Sequence, residues 1–273
     1  MNTAKERKQL LLRVEEFFGR KDINYVGEPG EDPTQAFVNN MQLISKWCTT
    51  LYDGLKAHSI IICGGAITSV FTGAPIKDLA FYVSDPDKLA GAIAFIETYF
   101  PKDTVFKSIN ALTWTRFGGQ TNRKKYQVQL ITKFTGSPQK IFDDFDFTVV
   151  QGCYDFSSDS FVFGDRFLTD IASRKIVFCG KSHYPICAMY RTLKYQRKGF
   201  KLSGTTVIHI SLAIARLEIK TYKELKEQLF GIDTMFMARF LENRNDETPV
   251  DYAEFIKEVF DQEVEQDDDD YED

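Results

Sequence analysis

The chain has 273 residues, of which 43% are hydrophobic and 27% charged, the composition of a water-soluble globular protein with one large or two modest domains. No apolar run approaches the roughly 20 residues that cross a bilayer, and the five scattered cysteines and three histidines lack disulfide or metal-ligand spacing. These features exclude membrane proteins, zinc proteins and disulfide scaffolds, and they predict a cytoplasmic protein without membrane association.

The N-terminal third is predicted to begin with two helices. Apolar residues recur at helical spacing over residues 4–20, and Asp32-Pro33 combines an N-cap with a proline at the first helical position, which starts a helix running to about Leu55. A strand at 59–63 then enters Gly64-Gly65, which a short helix at 66–71 follows. Asp78 opens a second strand that ends at Ser84. The predicted layout is therefore strand, glycine turn, helix, and a strand led by a carboxylate.

The remaining chain is predicted to be β-rich first and helical afterwards. Strands are expected at 105–108, 111–117, 125–131 and 147–154, a short helix at 138–143, and short extended segments at 161–163, 167–168 and 176–178. Helices are expected at 185–198, 204–218, 221–230, 233–243 and 249–260. The predicted domain organisation is N-terminal helices (1–57), an α/β domain (58–184), a helical C-terminal part (185–260) and a disordered acidic tail (261–273).

The glycine pair has the character of a phosphate-binding turn. Glycine lets the backbone approach a ligand closely, and the N-terminus of the following helix presents N–H groups to an anion. We therefore predict that Gly64 and Gly65 bind the phosphates of a nucleoside triphosphate, with hydroxyl groups from Thr68 and Ser69. The alternative is that the two glycines only turn the chain.

Charge is unevenly distributed along the chain. The formal net charge is −5, yet the last thirteen residues hold nine acids, so the other 260 residues carry +4. Such a tail is usually solvated, although it can also compete for a basic groove in the same molecule. Basic residues lie on or just after the helix that starts near Pro185: Arg191, Lys194, Arg197, Lys198 and Lys201.

Two tyrosines, Tyr190 and Tyr195, alternate with these basic residues. Tyrosine stacks on bases and lysine or arginine contacts phosphates, so Lys194 and Arg197 are predicted to contribute to binding of a nucleotide or nucleic acid. The alternative is an ordinary solvated helix face.

Residues 62–66 and 75–78 resemble the glycine pair and first aspartate of the nucleotidyltransferase superfamily, in particular the head domains of CCA-adding enzymes and poly(A) polymerases. Later segments are similar to nucleotidyltransferase-like proteins of large bacteriophages, namely 111–114, 128–131, 145–147 and 191–200. The resemblance covers roughly residues 58–201. It implies an α+β fold, with a mixed sheet flanked by helices, a triphosphate pocket at Gly64-Gly65, and a magnesium ion at Asp78.

The carboxylate set that this resemblance implies is incomplete. Nucleotidyl transfer uses metal ions clamped between carboxylates and phosphates, and the family pattern is Asp-x-Asp. Asp78 supplies the first carboxylate, but Ala80 stands at the second position and Gln129 at the third. Asp146 lies between two phenylalanines at a predicted strand start, where it is either a site carboxylate that binds metal or a structural acid that caps backbone N–H groups.

Two functions follow from this set. The preferred one is a phage-type nucleotidyltransferase fold with a degenerate metal site, which binds a nucleotide, a nucleic acid or a protein partner with weak or no catalysis. The alternative is an active magnesium-dependent enzyme that uses Asp78 and Asp146 to transfer a nucleotide to an RNA end or a protein. A third hypothesis is an inhibitor that sequesters a host factor through the acidic tail. For a viral protein, the location would be the host cytoplasm.

Overall fold

The computed structural model describes residues 3–23, 25, 32–100, 105–108, 110–118, 124–229 and 244–254. The chain forms two compact units, Met1–Cys179 with Lys198–Lys201, and Gly180–Arg197 with Leu202–Asp273. Among the described helices, none combines the length and the apolar composition that crossing a bilayer requires.

The first unit is built on a seven-stranded mixed sheet. Its strands are β1 (Ile60–Cys63), β2 (Asp78–Val83), β3 (Val105–Lys107), β4 (Ala111–Gly118), β5 (Lys124–Ile131), β6 (Gly152–Asp155) and β7 (Ser160–Phe163). They are ordered β3-β4-β5-β2-β1-β6-β7. β2 and β5 are parallel and the other neighbours are antiparallel. This confirms the predicted α+β class with a mixed sheet and flanking helices.

Helices cover the sheet of the first unit. They are α1 (Ala4–Phe18), α2 (Pro33–Ala57), α3 (Gly65–Thr72), α4 (Leu89–Glu97), α5 (Pro138–Phe142) and α6 (Phe167–Ala172). The apolar stripe of α1 packs onto one sheet face, where Phe17 meets Tyr126 and Phe18 meets Phe81 edge to face. On that face Leu79, Phe81, Val128 and Leu130 are fully buried. The opposite face carries the less buried residues of β2 and β5.

Two predicted extended segments are wrong. Only the end of 147–154 is a strand, because Thr148–Val150 forms a 3-10 turn in which the Thr148 hydroxyl donates to the buried carboxylate of Asp170 at 2.6 Å. Phe167-Leu168 lies in α6 rather than in a strand. Both segments have β-type residues whose preference tertiary contacts override.

The second unit is helical in its described part. It contains α7 (Pro185–Arg197), α8 (Gly204–Ala215) and α9 (Tyr222–Gln228). Cys187 of α7 packs with Tyr222 and Leu225 of α9 and with Leu229, which directly follows α9. Thr221 and Glu224 form a capping box that fixes the start of α9. The helix predicted at 233–243, the second half of the one at 249–260 and the acidic tail lie outside the described residues.

Short strands tie the later chain to the first unit. β8 (Lys175–Ile176) is followed in sequence by α7, and β9 (Lys201–Leu202) comes after it. The backbone N–H of Lys201 donates to the carbonyl oxygen of Arg174 at 2.6 Å. Residues 198–201 therefore return to the first unit after α7.

Candidate functional site

The Gly64-Gly65 turn lies between β1 and α3. Gly64 has φ +80° and ψ −134°, and its N–H donates to the carbonyl oxygen of Gly152 at 3.0 Å. This conformation is open to glycine and strained for other residues. A Cβ on Gly65 would meet no atom within 4 Å, whereas one on Gly64 would meet the Phe145 ring at 3.9 Å. The N-terminus of α3 is thus accessible at Gly65, with Phe145 beside it.

Of the two predicted hydroxyl residues, Thr68 is engaged by the fold. Thr68 is fully buried, and its hydroxyl donates to the carbonyl oxygen of Val149 at 2.7 Å. Ser69 is 1% exposed, and its hydroxyl accepts a hydrogen bond from the Lys198 ammonium at 2.9 Å. Ser69 lies one helical turn after Gly65, so the Lys198 ammonium contacts α3 about one turn from its open start.

Arg174 holds the segment that carries Lys198. Its guanidinium donates to the carbonyl oxygens of Lys198 and Thr72, both at 3.1 Å, and lies 5.5 Å from the centre of the Phe200 ring. Thr72 is the last residue of α3, so Arg174 lies at the C-terminal end of this helix, where the helix dipole favours a cation. The N–H groups at the start of α3 favour an anion at the opposite end.

The sheet face beside the turn carries the three positions at which nucleotidyltransferases have metal-binding carboxylates, namely Asp78, Ala80 and Gln129. Asp78 is partly buried at the start of β2, and strand alternation places Ala80 on the same face. In the parallel pairing with β5, Asp78 lies opposite Gln127 and Ala80 opposite Gln129. The register therefore brings together the three positions that the resemblance implied, with one carboxylate, one methyl group and one amide.

Ala80 belongs to an apolar cluster. It packs against a cluster of buried residues that includes Cys63, Tyr82 and Phe142, and the partly buried Phe145 packs against the same cluster. Phe145 contacts the Tyr82 ring at 5.9 Å between ring centres. Within the part of the chain that the structure describes, no three histidine, cysteine or acidic side chains come together as metal ligands. The residues at this site do not fit the two-metal centre of a nucleotidyltransferase.

Asp146 lies in a different local setting from the one predicted. It precedes the 3-10 turn rather than a sheet strand, and it is 7% exposed. Its carbonyl oxygen accepts a hydrogen bond from the Cys179 N–H at 2.9 Å, and the next residue, Phe147, bridges to Phe178. The segment around Asp146 is thus fixed by the chain near Cys179, and the alternation argument for its side chain does not hold.

Lys194 and Arg197 occupy exposed positions of α7 in the second unit. Tyr195 is buried there and Tyr190 is 42% exposed, so the two tyrosines do not form a common stacking surface. Their neighbour Lys198, which belongs to the first unit, does contact α3.

Sequence reasoning missed two residues of this site. Lys198 is predicted to be the last residue of the helix at 185–198, whereas α7 ends at Arg197 and Gly199 has φ +82°. A glycine after the last periodic residue was the available signal. Phe145 was treated only as a neighbour of Asp146, and no local pattern indicates its contact with the glycine turn.

Comparisons with known proteins give a family and a fold. The sequence pattern of the Gabija anti-defense 2 family matches residues 38–174. A protein named Gabija anti-defense 2 from Bacillus phage SPbetaL7 is 32% identical over 198 residues, which cover 72% of this chain and 48% of that protein. The predicted similarity to phage proteins is confirmed by this relative. The chain spans about half the length of the relatives that it matches.

Solved structures similar to this chain include CCA-adding enzymes. The Thermotoga maritima enzyme complexed with tRNA has a TM-score of 0.48 at 14% identity, over 94% of this chain and 54% of that one. A CCA-adding enzyme in complex with CTP has a TM-score of 0.48 at 15% identity, over 80% and 51%. The sequence resembles the head domains of these enzymes. At 14–15% identity the similarity is one of fold alone.

Proposed function

Because the chain belongs to the Gabija anti-defense 2 family, we propose that it counteracts the Gabija defence inside a phage-infected cell by binding a protein of that defence. It does so without metal-dependent nucleotidyl transfer. The name of the relative from Bacillus phage SPbetaL7 supports the anti-defence role. The fold then serves as a rigid binding scaffold, because function depends on the site that a fold carries and not on the fold.

The observation that carries this proposal is the pairing of Ala80 with Gln129 on the site face. Neither side chain carries a charge, so Asp78 stands as the one carboxylate among the three positions. Hard cations such as Mg²⁺ take charged oxygen ligands, and two-metal transfer needs carboxylates that bridge or flank the ions. Ala80 also packs in an apolar cluster, which a bound ion would have to disturb.

The test uses bacteria that carry Gabija and express this chain during infection by a Gabija-sensitive phage. We expect Asp78→Ala to protect the phage as well as the unchanged chain does, because the proposed function does not use this carboxylate. Thermal melting of both purified proteins confirms that they are equally folded. Loss of protection by a folded Asp78→Ala protein would overturn the proposal. So would transfer of labelled nucleotide to RNA or protein that disappears in this variant.

A second function, nucleotide binding without catalysis, is favoured by the contact of Lys198 with Ser69 beside the open Gly65. Calorimetry with ATP and CTP in the absence of divalent ions tests it. We expect Lys198→Ala to weaken binding about tenfold or more, since a charge-assisted contact to phosphate is lost. Lys201→Ala, an exposed lysine in the same segment, is the matched control. Equal affinities of the two variants would contradict this second function.

A further inference from the structure

The N-terminal part of α2 leaves an apolar stripe uncovered. Leu51 and Leu55 of this helix are fully buried, yet residues 33–50, which we call the α2 arm, include no buried residue. Within the arm Phe37 is 64% and Met41 47% exposed. Monomeric proteins rarely expose such residues together without a binding role.

The stripe has the spacing of a helix–helix seam. Its residues are Phe37, Met41, Ile44, Cys48, Leu51 and Leu55. The intervals alternate between four and three, which is the heptad spacing that packs one helix against another. The first unit buries the C-terminal end of this seam at Leu51 and Leu55, whereas the N-terminal end at Phe37 and Met41 is exposed. The open end therefore has the geometry to receive a second helix.

The arm is almost uncharged. Lys46 is the single charged residue among residues 33–50, and it lies on the side of the helix opposite the seam, together with Gln42. Nucleic-acid surfaces need several lysines or arginines, whereas cores of protein interfaces are depleted in charge and enriched in aromatic residues and methionine. The chemistry of the seam thus favours a protein partner.

The start of the arm is fixed by a helix cap, and its base is fixed by an aromatic contact. The Asp32 carboxylate caps it by accepting from the N–H groups of Thr34 at 2.6 Å and Gln35 at 3.4 Å, and Pro33 occupies the first helical position. At its base, Trp47 packs edge to face on Tyr99. A preformed helix lowers the ordering cost of binding.

A cavity of about 420 Å³ lies beside the base of the arm. Its apolar lining comes from Leu12, Ile23 and Ile44, and its basic residues are paired, Arg20 with Glu15 at 2.6 Å and Lys21 with Glu16 at 3.0 Å. The cavity extends the seam toward α1, and each of its two basic residues contacts a carboxylate. It can accept an apolar side chain from a helix packed along the arm.

We propose that an amphipathic helix of a partner protein packs along Phe37, Met41 and Ile44 and places a side chain in this cavity. The inference rests on the proposed function in taking the partner to be a protein of the Gabija defence. The exposed apolar side chains of the arm and Leu12 offer on the order of 300–400 Å², about half of what one partner contributes to a standard interface. Two copies that pair through this patch would bury only about twice that area, on the order of 600–800 Å² in total, which is below what a stable dimer needs, so a second copy is not the favoured occupant.

Tagged Gabija proteins, purified together from cells, are the probe for this surface. The chain is tested for co-purification and for phage protection as the unchanged protein, as Phe37→Asp/Met41→Asp, and as Gln42→Asp/Thr50→Asp. The last pair adds the same charge to the opposite, polar side of the helix. Since all four side chains are exposed, folding should be retained, and melting curves check this.

We expect the unchanged chain and the polar-side variant to bind, and the seam variant to bind more than about tenfold more weakly and to lose protection. Equal binding of all three proteins overturns this inference and leaves the proposed function intact. Failure of the unchanged chain to bind while it still protects the phage overturns the proposed function. A dimer, measured by light scattering, that only the seam variant dissociates while Gabija binding persists assigns the seam to a second copy and also overturns the inference.

Discussion

At the scale of single residues, the side chain at position 80 decides whether this sheet face can bind a metal ion. Placing a carboxylate there gives a first prediction. Ala80→Asp/Gln129→Glu places two acids on the face of Asp78, in register across β2 and β5. Three nearby carboxylates repel one another and a divalent cation relieves this repulsion. We expect the variant to melt below the unchanged protein and to be stabilised by millimolar Mn²⁺, with no such effect on the unchanged chain.

The control for this prediction adds Asp78→Asn to the double variant. Because one ligand is then lost, the stabilisation by Mn²⁺ should shrink or vanish. An equal response of the unchanged protein to Mn²⁺ would mean that the native residues already hold a cation, contrary to the proposed function.

Thr68 gives a second prediction at this scale. Its buried hydroxyl donates to the Val149 carbonyl, so Thr68→Val removes the donor and leaves a buried acceptor unsatisfied, which costs about 1–3 kcal/mol. Thr68→Ser keeps the hydroxyl and loses one methyl group, which costs about 0.8 kcal/mol. We expect urea unfolding to rank Thr68→Val as less stable than Thr68→Ser. The opposite order would show that the hydroxyl contributes little to the fold.

Local pattern predicted some site residues and could not predict others. Gly64-Gly65 and Asp78 stand where the strand-turn-strand pattern put them, because a few neighbouring residues determine that geometry. The setting of Asp146 depends on Cys179, which lies 33 positions later in the chain. The contact of Lys198 with Ser69 spans 129 positions. Such long-range pairs leave no signal in hydrophobic periodicity.

At the scale of the elements, the turn between β1 and α3 gives a third prediction from a matched pair of glycines. Gly64→Ala forces a side chain into a conformation with φ +80° and should destabilise the protein by about 1–3 kcal/mol. Gly65→Ala meets no atom and lies at the first position of α3, so it should leave stability unchanged or raise it by up to about 1 kcal/mol. Denaturant unfolding of both variants measures the difference.

The same pair tests whether the turn binds an anion. If a nucleotide binds at this turn, Gly65→Ala weakens it, because the added methyl group occupies the open approach to the N–H groups of α3. Weaker binding without loss of stability would assign the turn to ligand recognition. Unchanged binding would contradict the second function proposed above.

Elements with strong periodicity or clear caps were predicted to within a few residues. Asp32-Pro33 begins α2, the short helix predicted at 138–143 is α5, and the strand predicted at 125–131 is β5. The prediction was wrong at 147–154 and at 167–168, where buried aromatic and β-branched residues are equally compatible with helical turns. The buried Thr148–Asp170 hydrogen bond decides the structure at the first of these segments.

At the scale of the whole molecule, each compact unit has its own buried thiols, which allow the two cores to be followed separately. In the first unit, the free thiols Cys63 and Cys153 lie opposite each other on the neighbouring strands β1 and β6. Cys187 lies in the core of the second unit. Burial raises the pKa of the Cys63 thiol, with a further contribution from its hydrogen bond with Cys153. The reactive thiolate of Cys63 is therefore disfavoured in the folded state. Cys153 and Cys187 are fully buried and so shielded from the reagent, and iodoacetamide should modify all three cysteines only after unfolding.

Labelling in increasing urea, with modified cysteines identified by mass spectrometry, then gives an unfolding curve for each unit. We expect Cys187 to become reactive at lower urea than Cys63 and Cys153, because a small helical core buries less apolar surface than a seven-stranded sheet covered by helices. Cys48, which is only partly buried, serves as the internal control and should react first. Coincident curves for Cys63 and Cys187 would contradict this expectation, because they would mean that the two cores unfold as one cooperative body.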